Sequence, residues 1–542
     1  MHYASSYSQK PSITTRHVVE LLVCLVIAVV LVRTFIVEGY MISTGSMAPG
    51  LLGYHKRIVC PLCDAQFELG VAYDDAQSLV DVSPYEPTHC SCPNCGKDRI
   101  DIRDVPKTQG DQLLVHKYTY SVRNPDRWEV VVFRNPALAT EAYVKRVIGL
   151  PTERVQVRDG DIFINGELAR KSLTQALATE LSVYHDPSRP KDDGWQGRWS
   201  IGKTWRRTEA GFECQSAKEW SWIRYRHWLR SGGRHKTSVG LAPTQFEAAR
   251  RRLSLGSDGF PFVAKNQVDF DEENSRVVCR GVVSSKLRDE LLASSSDPAF
   301  RTAIRDLAER SHLAPIQDNY GYNADQRTIP VRDIGLEMKL TSDTRSGMLV
   351  VRLKTPSGRF ECVLDFETGA ARLFAEKVSK PLAEGTFAPS ILSAGAVFSL
   401  RHVDQQIIAA IGGELLLQPF ETAESSGNAI QVDHEPAEFA SRGATLAVTE
   451  VRIVRDIHYT AGRARNGVNE EFQLGDEEYF VLGDNSPVSS DSRNWEYGAI
   501  NRSHLIGKPV IVHLPSSPKA LKFGRANYLI RVPEFSKIRY VR

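Results

Sequence analysis

Short runs in which apolar and polar residues alternate dominate this chain, and they predict strands far more often than helices. Gln112–His116, Trp128–Phe133, Tyr143–Ile148, Arg154–Val157 and Asp161–Ile164 read as short strands, with Asp159-Gly160 and Asn165-Gly166 supplying turn chemistry between apolar runs. A second series follows at Met338–Leu340, Met348–Leu353, Phe360–Asp365, Ala371–Phe374, Val397–His402, Gln406–Ile411 and Glu414–Leu417, and Val448–His458 reads as a closing strand. That rhythm predicts an antiparallel sandwich. Residues 285–312 change to a helical period, with Leu287, Leu291, Leu292, Ile304 and Leu307 on one face.

One segment is apolar without alternation. Val18–Val37 holds an unbroken core from Leu21 to Val32, then Arg33 and four more residues. With Arg33 snorkelling, about 20 residues at 1.5 Å rise can cross a ~30 Å hydrocarbon core. Lys10 and Arg16 precede it with no acidic residue, which predicts a cytoplasmic N-terminus and an extracytoplasmic bulk. A cleaved signal peptide fits the basic start and apolar stretch too, but no small-x-small site follows in Arg33–Glu38. The expectation is therefore a retained single-pass anchor in the plasma (inner) membrane, with membrane lipid as a partner.

At 542 residues the chain has room for several domains, and a net charge of +3 gives no reason to expect nucleic acid. Five of its nine cysteines fall within residues 60–95. Cys60-Pro61-Leu62-Cys63 and Cys92-Pro93-Asn94-Cys95 are two C-x₂-C knuckles with 28 residues between them, the spacing of a Cys₄ zinc ribbon. Disulfides remain the alternative in an oxidising compartment. Cys90 is the odd thiol, and His89 and His55 are weaker ligand candidates.

Ser46-Met47-Ala48-Pro49 follows the apolar segment directly, Tyr143–Pro151 carries Lys145, and Gly483-Asp484-Asn485 leads to Asp491-Ser492-Arg493. A serine hydroxyl is a weak nucleophile until a base takes its proton. Lys145 serves as that base only when neutral, and its flanks Val144, Val147 and Ile148 supply the apolar surroundings that lower an amine pKa. Strand alternation turns Lys145 and Val147 to one face and Arg146 to the other.

Together the three segments resemble type I signal peptidases, membrane-bound serine proteases with a Ser-Lys dyad. The resemblance spans roughly residues 17–59, 108–168 and 470–515. It implies Ser46 as nucleophile and Lys145 as general base. The Ser46 N–H and the Thr44 hydroxyl would form the oxyanion hole, with threonine where the family usually has serine. Ser489 would orient the lysine, Asp491 and Arg493 would brace the loop, and Tyr40, Ile42, Tyr143 and Val144 would line the substrate pockets. The implied activity removes N-terminal signal peptides from exported precursors after small-x-small sites, with no cofactor for catalysis.

The expected fold is mainly β: an N-terminal transmembrane helix, a protease core of the signal-peptidase β-barrel/sheet type, inserted zinc-ribbon-like knuckles, and an inserted antiparallel β-sandwich. In sequence order this gives a cytoplasmic tail (1–16), transmembrane helix (17–37), catalytic serine segment (38–57), zinc-ribbon-like insert (58–100) and core with catalytic lysine (101–168). An inserted β-rich domain (169–455), a second core segment (456–515) and a basic C-terminal tail (516–542) complete it. Phe398–His402 and Ile407–Leu415 give the insert a likeness to concanavalin or laminin-G jelly rolls. Trp220, Trp222, Arg224, Arg226, Trp228 and Arg230 predict a strand with one basic, aromatic face, a surface suited to envelope glycan or lipid headgroups. The competing functional class is a catalytically silent envelope-binding protein that uses this sandwich.

Overall fold

The computed structural model describes residues 15–31, 33, 36–71, 87–189, 197–216, 218–229, 236–247, 250, 267–293, 295–318, 321–323, 329–344, 346–423, 434–461, 465–523 and 526–541. Arg230 and residues 1–14 of the expected N-terminal tail lie outside these.

The alternating runs build a core sheet of eight strands. These are β1 (Val37–Met41), β2 (Gln112–His116), β3 (Val130–Asn135), β4 (Leu138–Gly149), β5 (Glu478–Leu482), β6 (Ile500–Asn501), β7 (Leu505–His513) and β8 (Arg539–Tyr540). Their order is β1-β2-β7-β3-β4-β5-β6, with β8 added to β7. Neighbours in the sheet thus come from both ends of the chain. Leu113, Val115, Val130, Val132 and Val512 bury one face with Ile42, Met47 and Leu51 of the serine segment. A smaller sheet from Arg154–Arg158, Asp161–Ile164, Glu167–Leu168 and Phe472–Gln473 packs alongside. Its Asn165-Gly166 turn takes the positive φ values, +53° and +85°, that the residue pair predicts.

Between the two core segments lies the expected sandwich, of nine and seven strands. Ile334–Thr341 sits between Leu446–Arg455 and Ala396–Val403 in one sheet, and Met348–Thr355 between Ala437–Arg442 and Gly358–Asp365 in the other. Alternate residues meet between the layers, among them Leu336, Met338, Leu349, Val351, Phe398, Leu400 and Phe439, all essentially inaccessible.

Several expectations need correction. The helix over 285–312 is two helices, Ser285–Ala293 and Pro298–Ser311. Pro298 lacks an N–H and pushes the preceding residue out of helical geometry, so Asp297 becomes an N-cap whose side chain accepts from Phe300 N at 2.8 Å. These helices pack on a three-stranded sheet, Lys236–Gly240, Val268–Asp271 and Arg276–Arg280, which makes a separate small core inside the insert. The aromatic strand is only Ser221–Tyr225, and Trp228 beyond it is buried. Its outward face keeps Trp222 and Arg224, with Arg352 stacked 4.0 Å from the Trp222 ring.

Nor is the C-terminal stretch a free tail. Ser516–Phe523 and Ala526–Pro533 form a hairpin, β8 joins the core sheet, and Arg539 bonds Asp111 at 2.6 Å and Gly50 O at 3.0 Å.

At the N-terminus a helix, α1, covers Thr15–Leu31, and its described side chains are all exposed. Among the described residues no helix is long and apolar enough to cross a membrane.

The sandwich is fixed to the core by a buried charge. Lys171 Nζ bonds Asp404 Oδ1 at 3.0 Å and Asp456 Oδ2 at 2.8 Å while lying 4.2 Å from the Trp128 ring. Lys171→Met would leave two carboxylates buried beside no cation. We expect a loss of about 3–5 kcal/mol in denaturant unfolding; a loss below about 1 kcal/mol would mean the junction is solvated in solution.

Candidate active site

The serine loop is held from below by the strand that follows the cysteine insert. Ile42 N bonds Asp111 O, and Leu52 N bonds Asp111 Oδ2 at 2.8 Å. Asp111 therefore ties together both ends of the loop that carries Ser46. Met47 and Ala48 are buried beneath it, which leaves the Ser46 side chain at the rim of a cleft.

Lys145 arrives on β4, 99 residues later. Its Nζ stands 2.5 Å from Ser46 Oγ. The amine is almost wholly buried, and burial is the main reason its pKa falls from 10.5 to about 8. Asp491 and Asp484 pull it upward and Arg493 pushes it down, but desolvation outweighs them. The charged amine donates to Oγ; a neutral amine there has a lone pair within reach of the Ser46 hydroxyl.

Two carboxylate–guanidinium forks flank the amine. Arg146 points to the opposite face, as alternation predicts, but into the interior rather than to solvent. Its Nε and Nη2 bond Asp484 Oδ1 and Oδ2 at 2.8 and 2.7 Å, and its Nη1 bonds Trp128 O. Arg493 bonds Asp491 in the same way at 2.9 and 2.7 Å, and Ser486 Oγ at 2.7 Å. Each fork cancels its own charge, so neither floods the amine's surroundings with net field.

Asn485 connects this loop to the serine. Its N–H bonds Ser46 O at 2.9 Å, and its Nδ2 bonds Gly45 O at 2.9 Å. The sequence reading assigned no role to Asp484, Asn485, Asp111 or the paired Arg146. The Gly-Asp-Asn run beside a buried strand was the available signal for the first two; Arg146 and its partner are 338 positions apart.

Thr44, Ser46, Tyr40, Ile42, Tyr143, Val144 and Lys145 all line one cleft of about 1050 Å³. Thr44 is exposed within it. Ser489 departs from expectation: its hydroxyl is buried but makes no hydrogen bond among the described residues, Lys145 included. Gly483 N instead bonds Asp491 Oδ2 at 3.1 Å, and the forked pair supplies the loop's rigidity.

The knuckles bring Cys60, Cys63, Cys92 and Cys95 together, all buried, with their sulfurs within 4.8 Å of one another. Cys60–Cys95 and Cys63–Cys92 sulfurs are 3.7 Å apart, too far for disulfides. A tetrahedron with ~2.3 Å metal–sulfur bonds has an edge of ~3.8 Å, so the spacing fits a zinc ion. Cys90 is buried nearby but outside the set, its thiol pushed up to about 11 by burial.

Comparison with known proteins adds to this geometry. The family model for signal peptidase, peptidase S26, matches residues 105–200 and 423–514, which include Lys145, Asp484 and Arg493 but not Ser46. A probable signal peptidase I-2 of Synechocystis sp. is 34% identical over 15% of this chain and 39% of its own length. Signal peptidase I of Leptolyngbya laminosa is 40% identical over 12% and 36%, and that of Rickettsia rickettsii 49% over 14% and 28%. The chain thus spans less than half the length of these relatives. Among solved structures, a carbohydrate binding module CBM66 from Bacillus subtilis aligns with 47% of this chain and 94% of its own at 9% identity, with a TM-score of 0.23. That score is too low to carry an argument.

The Arg146–Asp484 fork is the most buried of the site's charge pairs that span its two core segments. Asp484→Asn should cost about 3–5 kcal/mol of stability by leaving Arg146 uncompensated. Chemical unfolding would read this, and a change within about 0.5 kcal/mol would deny the pair its bracing role.

Proposed function

With a core of the signal-peptidase kind at residues 105–200 and 423–514 as premise, we propose that this chain is a membrane-anchored serine endopeptidase that removes signal peptides from exported precursors. The observation that carries the reading is the 2.5 Å contact between Ser46 Oγ and a buried Lys145 Nζ whose pKa is depressed to about 8.

Neutral Lys145 takes the Ser46 proton as Oγ attacks the scissile carbonyl carbon. The developing oxyanion is received by the Ser46 N–H and the Thr44 hydroxyl. Collapse expels the amine of the mature protein, which takes the proton back from Lys145. Neutral Lys145 then deprotonates a water that attacks the acyl-serine; the acyl–oxygen bond breaks, Ser46 Oγ regains a proton from Lys145, and the signal peptide leaves as a carboxylate. Asp491 and Arg493 keep the loop that follows Gly483 fixed behind Lys145. No cofactor is needed for these steps.

Substrate binding follows from the sheet. Strand β5 pairs with β4 only from Arg146 to Gly149, so Thr140–Lys145 keeps one edge unpaired by any described strand and lines the cleft. An extended peptide can add to that edge, leaving alternate side chains for pockets formed by Tyr40, Ile42, Tyr143 and Val144. Small residues fit beside the nucleophile. The exposed apolar surface of α1, with Leu21, Leu22, Leu25 and Ile27, supports anchoring in the bilayer with the catalytic domain outside. Zinc held by Cys60, Cys63, Cys92 and Cys95 would serve structure, locking two knuckles in one orientation. The outward Trp222–Arg352 stack suits an envelope sugar face.

The test is cleavage of a precursor by the detergent-solubilised chain. Ser46→Ala should abolish it, and Lys145→Ala should lower kcat/KM by at least about 10²-fold. Cleavage retained by either variant would refute the dyad. Because Lys145 acts when neutral, log kcat/KM should rise with unit slope as pH rises to about 8 and then level off. A flat profile from pH 6 to 9 would contradict this.

Elemental analysis should find one zinc per chain, lost together with thermal stability in Cys92→Ser. Two disulfides without metal would overturn the zinc reading.

A further inference from the structure

Residues 321–323 belong to the sandwich insert by sequence but to the catalytic cleft by position. Their loop leaves the sandwich from a closed base: Gln317 pairs with Pro330, Asp318 N bonds Ile329 O at 2.9 Å, and Ile329 N bonds Asp318 Oδ1 at 2.7 Å. Arg455 holds Asp318 O from behind at 2.6 Å. The described tip, Gly321-Tyr322-Asn323, reaches across to the serine loop and the cysteine insert.

At the tip the Tyr322 carbonyl and hydroxyl and the Asn323 side-chain amide are all hydrogen-bonded. Tyr322 O accepts from Gly70 N at 3.2 Å, and the Tyr322 hydroxyl donates to Tyr54 O at 3.0 Å. The Asn323 and Asn485 side chains exchange two hydrogen bonds: Asn323 Nδ2 donates to Asn485 Oδ1 at 2.5 Å, and Asn485 Nδ2 to Asn323 Oδ1 at 3.0 Å. Asn485 in turn holds Gly45 O and Ser46 O. Asn323 therefore touches the nucleophile loop through a single intermediary.

The ring of Tyr322 is the larger intrusion. It is 9% exposed and packs on Ala48 and Leu52. A Cβ placed on Gly45 would come within 2.1 Å of the ring, and one on Gly70 within 2.2 Å. Only glycine at both positions lets an aromatic lie this close to the residue before Ser46. Tyr322 and Asn323 line the same cleft as Ser46 and Lys145, on the side where Leu69, Gly70 and Val71 also contribute.

We propose that Tyr322, delivered by the inserted domain, is a specificity-determining residue: its ring walls the substrate cleft beside Ser46 and limits the side-chain size of the extended peptide bound there. The inference rests on the endopeptidase reading above, and its ligand class is a peptide with small residues next to the scissile bond. The hydroxyl is spent on Tyr54 O, so the ring acts on substrate by shape and apolar contact. The insert is then part of the protease's selectivity and not only a neighbouring binding module.

The experiment measures peptide binding, so it does not depend on turnover. Full-length chain carrying Ser46→Ala, in detergent, is titrated by fluorescence anisotropy with labelled decapeptides. These differ only in having Ala or Phe at the residue before the scissile bond or two residues earlier. The parent should prefer the Ala peptides by about tenfold or more at one of these positions. Adding Tyr322→Ala should shrink that ratio to about twofold or less, mainly by tightening the Phe peptide. Adding Tyr322→Phe, which loses the bond to Tyr54 but keeps the ring, should retain the preference.

Should Tyr322→Ala unfold, Tyr322→Leu takes its place, since it shortens the wall while preserving apolar contact with Ala48 and Leu52. An unchanged ratio in a folded variant overturns the inference and leaves the endopeptidase reading intact. Absence of saturable binding to any peptide in the parent overturns both.

Discussion

A buried amine beside a serine hydroxyl is the constraint from which most of this architecture follows. Lysine is expensive to desolvate as a cation, and that expense is what lowers the Lys145 pKa to about 8. Nearby positive charge would help lower its pKa and nearby negative charge would defeat the purpose. The protein places Asp484 and Asp491 close by, yet matches each with its own guanidinium in two-point contact. The forks give the Gly483–Arg493 loop a fixed shape while leaving burial to set the amine's protonation.

That arrangement needs residues brought together from distant parts of the chain. Ser46 hangs from a loop stapled by Asp111, Lys145 sits mid-strand in β4, and the bracing loop comes after the whole sandwich insert. The insertions enter at places where the core sheet can tolerate them. The cysteine-rich segment loops out between β1 and β2, and the sandwich between the small sheet's Glu167–Leu168 and Phe472–Gln473 strands. Both return to the cleft. Asn94 of the second knuckle bonds His185 N and Ser188 O on the sandwich side, and Tyr54, Gly70 and Tyr322 meet over the serine loop. The cysteine insert, the sandwich and the core thus share one wall of the cleft, through Gly70, Tyr322 and the serine loop.

Local chemistry made much of this legible in advance. The strands of the core and of the sandwich lie within a few residues of the runs that predict them: Gln112–His116 and Gly358–Asp365 alternate buried and less buried positions, while Gln406–Ile411 is buried on both faces. Ser46, Lys145, Asp491 and Arg493 stood out because reactive residue types fell at motif spacing. What stayed hidden depends on long-range partners. Arg146 reads as a surface charge until Asp484 is seen 338 positions later. Tyr322-Asn323 lies in a stretch with no periodicity. Asp297-Pro298 did carry a helix-stop signal, and the apolar spacing on either side masked it. Trp228 followed an alternating run and so read as exposed, whereas the strand ends at Tyr225 and the chain turns inward. The basic residues of the C-terminus resembled a solvated tail because a two-residue strand such as Arg539–Tyr540 leaves almost no trace in a pattern.

The claim on which the account stands is that burial, with its neighbours neutralised pairwise, keeps Lys145 largely deprotonated at mildly alkaline pH. Its most direct test is a titration of the Lys145 side chain itself by NMR of lysine labelled at Cε and Nζ, with the signal assigned by its loss in Lys145→Arg. The account predicts a midpoint near 8. A midpoint near the ordinary lysine value of about 10.4 would mean the amine is solvated and charged, and that Ser46 has no base beside it.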